Sequence, residues 1–311
     1  AWRDRLRCVG CDFRDLGAVE ALCAAVPELL GCGLDVLVNN ACQTVRRPPQ
    51  YYLSLISAET SRQDDAPAVG QLTDAHRVVA KAVGQRAEVA RALAIGNGGG
   101  DSAGDNGSGG GDGGSGGGMV PGMSLSLGVR REGDVARSAL MSAVPVAPGD
   151  AVADDAAFPR GRTDANLDLG QQLDLRTANS WTLKLEDVST AEMAEVLAIN
   201  ALAPAIINGR LRAFMERSDK PRPLKFIVNV SAMEGRFYKW KAPTHPHTNM
   251  AKAALNMMTR TCAHELFATA AILMNSVDTG WINDENPLEK AAANAERHNF
   301  QTPLDEVDAA A

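Results

Sequence analysis

The chain is 311 residues long, 45% hydrophobic and modestly acidic, with a net charge of −7 and a pI near 5.3. That length can bury one large core or two small ones, and the acidity argues against a nucleic-acid partner. No charged, apolar, small-residue signal opens the chain, and no apolar run is read as approaching the roughly 18 to 20 residues of a membrane helix, so no membrane partner is expected. A cytoplasmic location is the default expectation. The first residue is not Met, so the native N-terminus is expected to be missing and organelle targeting stays open.

Six cysteines in a chain of this length are ordinary usage for a reducing compartment. Cys8 and Cys11 have CxxC spacing, but no second pair follows, and core packing is the preferred reading. His245 and His247 form an HxH pair with no Cys or carboxylate cluster near it in sequence, so no metal site is expected.

Taken in chain order, Leu6–Cys11 is predicted as a strand, Gly17–Leu30 as an amphipathic helix and Leu34–Val38 as a strand ending in Asn39-Asn40-Ala41. Residues 51–174 are then expected to be one long insertion, with a helical run over 74–94. Residues 96–118 are nearly all Gly, Ser, Asp and Asn; such a tract buries too little to offset its backbone entropy and is predicted to be a disordered linker. After the insertion, Ser189 caps a helix running to Met215, with Pro204 as a bend or break. Leu224–Val230 is predicted as a strand, Thr248–Phe267 as a helix and Ala271–Val277 as a further strand. The division is thus 1–50, 51–174 and 175–311.

Apolar strands alternating with helices indicate an α/β fold, a Rossmann-like parallel sheet with helices on both faces. Ligands of such sheets bind beyond the carboxyl ends of the strands. Those ends carry Asp12-Phe13-Arg14-Asp15, Asn39-Asn40-Ala41, Ser231-Ala232 and Asp278-Thr279-Gly280-Trp281.

At these ends the text becomes specific. LDVLVNNA, CDFRD and IVNVSAMEG resemble the fourth, third and fifth strand motifs of the short-chain dehydrogenase/reductases. The resemblance covers about 180 residues and implies NAD or NADP as cofactor, the choice between them being undecided. It implies that Asp12 accepts from the adenine amino group and Phe13 presents its backbone, while Asn39, Asn40 and Ala41 shape the turn beside the ribose. It further implies that Asn200, in LAINALAP, fixes a water of a proton relay, and that Lys252, in TNMAKAALN, holds the nicotinamide ribose. VDTGW resembles the turn around the carboxamide, with Thr279, Gly280, Trp281 and Ile282 as contacts.

The departures bear on chemistry. The family's catalytic tyrosine stands four residues before the lysine, where this chain has Thr248, and the family's serine aligns with Ala232, leaving Ser231 beside it. A phenol near pKa 10 can exchange a proton once its pKa is drawn down; a threonine hydroxyl is far too weak an acid. His247 is the one substitute acid. Cys42 replaces the glycine after Ala41, and no TGxxxGxG loop precedes Asp12.

The fold is therefore expected to lack its first two strands. A gap of about 14 Å, three strand spacings, would separate Leu6–Cys11 from Leu34–Val38. Residues 1–30 should accordingly collapse onto Leu34–Val38 or hang loosely from it, and dinucleotide binding should be weak. Two functions remain: an NAD(P)-dependent oxidoreductase acting on alcohols or carbonyls, or a catalytically inactive relative that binds nucleotide or a partner. The small-molecule substrate is unreadable, and a homo-oligomer is an open option.

Overall fold

The structure is a computed structural model that describes residues 5–49, 51–52, 155–159, 161–162, 172–217, 224–282, 284–298, 302–305 and 307–308. The run 74–94 and the tract 96–118 lie outside the described residues. In chain order the elements are α1 (Leu16–Leu30), β1 (Val36–Asn39), α2 (Thr190–Leu197), a π-helical turn (Ala198–Leu202), α3 (Ala203–Glu216), β2 (Lys225–Ser231), a 3-10 turn (Met233–Gly235), α4 (Pro246–Ala270), β3 (Ile272–Asp278) and α5 (Leu288–His298).

Local chemistry sets the helix ends. Asp15 Oδ1 accepts from the Ala18 amide at 3.0 Å at the start of α1, and Gly31, at φ 61°, closes it in the left-handed conformation. Ser189 caps α2 by accepting from the Glu192 amide at 3.2 Å, as its position before the apolar run predicts. Where Pro204 is expected to bend or break the helix, five residues wind as a π turn and the axis continues into α3. Proline has no N–H to offer the Asn200 carbonyl four residues earlier, so the α-helical ladder is interrupted at that point.

The three strands form one parallel sheet in the order β1-β2-β3, with Val36 opposite Phe226 and Ser231 opposite Asp278. Side chains alternate between the faces. Leu37, Ile227, Ile272 and Met274 point to one face, where they meet Met215 of α3 and Leu266 of α4. Val19 and Cys23 of α1 pack on Ala203, Ile207 and Leu211 of α3, with Leu34 and Leu37 beneath. On the other face Val36, Val38, Phe226 and Val277 are 39% to 54% exposed, so the described helices that contact the sheet do so from one side.

The predicted strand Leu6–Cys11 is corrected: residues 6–12 form no strand, and β1 pairs with β2 alone. An extended segment without a neighbouring strand gains no ladder hydrogen bonds. Cys11 and Phe13 instead pack on the α1–α3 core, and Arg210 ties α3 to Glu20 of α1 at 2.7 Å. The described part of residues 1–30 thus adds no strand to the sheet, and of the two expected outcomes, collapse onto Leu34–Val38 or loose attachment, the first is seen: α1 packs through Val19 and Cys23 against Leu34 and Leu37. A second correction concerns length. The run Thr190–Glu216 is long and apolar enough to cross a membrane, with a mean hydropathy of 1.4 over its best window. In this chain Val196, Ala203, Ile207, Leu211 and Met215 bury in the core, and a core helix has the same composition.

The described residues at the two ends of the insertion meet. Tyr51 stands edge-on to Phe158 at 5.9 Å, and Asp174 bridges Arg47 at 2.9 Å and Arg176 at 2.7 Å. Hydrogen bonding and the charge of the two arginines outweigh burial and hold the Asp174 carboxyl below its ordinary range.

Ile227 is fully buried at the centre of β2 beneath both α3 and α4. Ile227→Ala is expected to destabilise the fold by about 2 to 5 kcal/mol, read as a lowered urea midpoint with an unchanged slope. A loss below about 0.5 kcal/mol, the range of an indifferent surface change, would mean that this face is not the core.

Candidate functional site

The carboxyl end of β1 opens on a cavity of about 340 Å³ lined by Asp12, Phe13, Arg14, Ala41, Cys42, Tyr52 and Ile199, among others, and by no described residue that follows β2 or β3. Asp12 and Arg14 come from the loop before α1, Ala41 and Cys42 from the turn after β1, and Ile199 from the π turn. Arg14 Nη2 pairs with Asp12 at 2.6 Å and its Nη1 with Glu195 at 3.1 Å. Arg46 Nε lies 2.9 Å from Glu195, and Gln43 Nε2 donates to the same carboxylate at 3.1 Å. Glu195 is thus a buried hub joining three segments. Burial by itself would lower the pKa of Arg14, but the hydrogen bond and charge of Asp12, followed by those of Glu195, raise it above its ordinary value. Burial raises the Tyr52 phenol and pushes the Cys11 thiol up to about 12.

The predicted nucleotide residues divide by burial. Asn40, Ala41 and Cys42 are exposed, whereas Asn39 is buried. Asn39 Nδ2 donates to Asn208 Oδ1 and Asn229 Oδ1, both at 2.8 Å, so it braces the sheet from within. Asn200, 1% exposed, clasps the turn after β1: its Nδ2 donates to the Gln43 carbonyl at 2.7 Å and its Oδ1 accepts from the Gln43 amide at 2.9 Å.

Lys252 on α4 is buried, and its Nζ donates to the Val230 carbonyl at 3.0 Å. Burial lowers its pKa, opposed by the nearby Cys42, Glu234 and Asp278. Gly235 presses on the same helix turn: a Cβ there would stand 2.6 Å from the Lys252 carbonyl oxygen, so only glycine allows the 3-10 turn to lie against α4. Thr248, one turn before Lys252, is 4% exposed and its Oγ1 has no hydrogen-bond partner among the described residues; the same holds for Ser231 Oγ. By strand alternation Ser231 faces the helix-covered side with Ile227 and Asn229.

His247 is 1% exposed, and its Nε2 lies 3.8 Å from Glu192 Oε1. Burial lowers its pKa more than Glu192 raises it. The other half of the HxH pair, His245, stacks on Trp181 at 3.9 Å and sits at φ 44° before α4. Beyond β3, Gly280 at φ 80° lets its amide donate to Asp278 Oδ1 at 3.1 Å, and the turn continues to the half-exposed Trp281. Thr279 and Ile282 flank this turn, whose start lies beside Ser231 through the Ser231–Asp278 register.

Sequence reasoning missed Glu195, Glu192, Gln43, Arg46 and Tyr52. Glu192 is an ordinary first-turn acid of a capped helix, and Glu195 stands one turn further along with no motif around it. Glu192 spends its carboxylate on the Arg46 amide at 2.8 Å, a partner 146 residues away, so no local pattern could disclose it.

With this geometry in view, known proteins can be compared. No family model matches the chain. The uncharacterized protein R665 of Acanthamoeba polyphaga mimivirus is 30% identical over 155 residues, which is 48% of this chain and 32% of that one. Similar solved structures include a short-chain dehydrogenase from Streptomyces avermitilis (21% identity, 42% of this chain and 50% of that one, TM-score 0.31). Others are an NADPH-bound carbonyl reductase from chicken fatty liver (22%, 33% and 41%, TM-score 0.29) and the carbonyl reductase Sniffer of D. melanogaster (17%, 40% and 55%, TM-score 0.31). The chain resembles the short-chain dehydrogenase/reductases. It spans about a third of the mimivirus protein and about half of these solved chains or less, and the likeness to the solved structures concerns fold alone.

The depressed pKa of His247 has a pH consequence. In the unfolded chain a histidine takes up its proton near its ordinary 6.5, before the folded one does, so the unfolded state binds more protons as pH falls below that value. Stability from His247 is therefore complete above 6.5 and lost as pH drops below it. The urea midpoint should fall over that window, and His247→Gln should flatten that part of the profile. An equally steep profile in the variant would place the proton uptake elsewhere.

Proposed function

We propose that the chain is a nicotinamide-dinucleotide-binding protein of short-chain dehydrogenase/reductase type, seating the adenosine half in the 340 Å³ cavity and lacking the family's phenol-driven proton exchange. The observation that carries this reading is the convergence of Asp12, Phe13 and Ala41, the positions that the resemblance assigns to the nucleotide, on one cavity beside the carboxyl end of β1.

The residues fit the adenosine half with one adjustment. Asp12 already accepts from the Arg14 side chain through both oxygens, which takes up much of its capacity for an adenine amino group. Recognition of the ring edge then rests on the Phe13 backbone, and the Arg14 guanidinium offers a planar cation at the cavity wall. Cys42 adds a side chain where the family keeps glycine, which is consistent with weak affinity. NAD or NADP would supply hydride transfer when bound. Lys252 would hold the ribose by exchanging its bond to Val230 for ribose hydroxyls.

Proton exchange is where the residues depart from the family. Thr248 Oγ1 can orient an oxygen but cannot ionise at neutral pH, and Ala232 offers no hydroxyl. His247 is buried against Glu192 with a lowered pKa, a structural histidine rather than a proton donor. The second reading, an active alcohol or carbonyl oxidoreductase, is favoured by Asn200 and Lys252 keeping the family's positions.

Titration of the chain with NADH and NADPH tests the proposal directly. Saturable binding without carbonyl reduction is expected, and Lys252→Ala should weaken binding by about 1 to 3 kcal/mol, roughly 5- to 150-fold. Adding Thr248→Tyr together with Ala232→Ser should raise carbonyl reduction above background. Absence of dinucleotide binding would overturn the first part, and turnover by the unaltered chain would overturn the second.

A further inference from the structure

The segment after the 3-10 turn reads Arg236-Phe237-Tyr238-Lys239-Trp240-Lys241, alternating aromatic and cationic residues, and neither the fold nor the cavity uses it. Phe237 is 83% exposed, Tyr238 77% and Trp240 86%, in a chain with few aromatics. The turn that presents them is held in place. Lys241 Nζ donates to the Met233 and Glu234 carbonyls, both at 2.8 Å. The Arg236 amide donates to the Met233 carbonyl at 3.0 Å, and its guanidinium lies 3.4 Å from Asp278 on the end of β3. Lys239 stands 5.9 Å over the Tyr238 ring. Met233, at the start of the 3-10 turn, is about half exposed.

Three large rings projecting within four residues would cost free energy in water unless something covers them. Their chemistry selects the cover. Trp and Tyr favour the boundary between headgroups and hydrocarbon, where the ring is dry and its polar edge is wet. Lysines beside them bury their stems and keep their charge among the headgroups. Asp278 pairs with Arg236, and Lys241, beside Glu234, is held on the turn's own carbonyls, so Lys239 leads the attraction toward anionic lipid. The chain's net charge of −7 opposes this only within a Debye length of about 8 Å in physiological salt. A nucleic-acid strand would need a positive groove that tracks its phosphates, which a single projecting turn does not form.

We infer that the Arg236–Lys241 turn docks on the interfacial layer of an anionic phospholipid bilayer, turning the carboxyl-end mouth of the sheet toward the lipid. This is peripheral contact by a turn and needs no spanning helix; it revises the expectation of no membrane partner and stands independently of dinucleotide binding.

The test is cosedimentation of the full chain with vesicles of phosphatidylcholine containing phosphatidylserine, against phosphatidylcholine alone. The chain should pellet with the anionic vesicles, less so in high salt, and brominated acyl chains should quench its tryptophan emission. The double variant Phe237→Ser, Trp240→Ser should bind at least about tenfold more weakly and lose most of the quenching. Lys239→Glu, which leaves the rings in place, should lose the preference for anionic lipid. A chain that stays in the supernatant would overturn the inference, as would a folded double variant that pellets like the parent. So would vesicle binding abolished by a single-stranded oligonucleotide, or a self-associated state that the double variant dissolves.

Discussion

One buried amide, Asn229, organises the sheet and everything at its edge. Its Oδ1 accepts from Asn39 of β1 at 2.8 Å and from Asn208 of α3 at 3.2 Å, and its Nδ2 donates to Thr259 of α4 at 2.9 Å. Ser276 of β3 closes the set by donating to Thr259 at 2.8 Å. Burying so many polar groups is unfavourable unless each is paired, and here they pair with one another across three strands and two helices. Register becomes all-or-none under that constraint. A slip of one residue would turn Asn229 to the opposite face and orphan the network. The ends of the three strands are thereby held level, so the turns at Asn40–Gln43, Ala232–Gly235 and Thr279–Gly280 share one edge.

A second consequence is asymmetry. The polar network and the aliphatic core lie on the same side of the sheet, beneath α3 and α4, with α1 packed on α3. Val36, Val38 and Phe226 on the other side meet none of those helices. Strands with apolar residues at both parities read in sequence as buried on both faces, and that parity is correct as composition. What the strand text cannot say is which neighbours arrive to cover each face.

The same distinction separates what was legible in the sequence from what was not. The helix start at Ser189 and the parallel strands were readable because each rests on a short pattern with its own local physics, whereas the Asp15 cap, just ahead of the expected start at Gly17, was not picked out. Pro204 announced a bend or break, and the interruption takes the form of a π turn over Ala198–Leu202. Leu6–Cys11 has the composition of a strand and is not one, because a strand is completed by a partner that its own residues do not specify. Asn39 was read as part of a binding turn; its amide instead serves the network behind that turn, and exposure passes to Asn40 and Ala41. Glu195 was invisible for the opposite reason, since its partners Arg14 and Arg46 lie about 150 to 180 residues away in sequence.

The central claim is that a dinucleotide seats between the Asp12–Arg14 loop and the turn after β1. Amide hydrogen exchange of the full chain with and without NADPH or NADH addresses it residue by residue. The account predicts slowed exchange at residues 12–14 and 41–43, with the interior of β2 unchanged because it is already buried. Protection confined to other surfaces, with these two segments exchanging as fast as in the free chain, would contradict it.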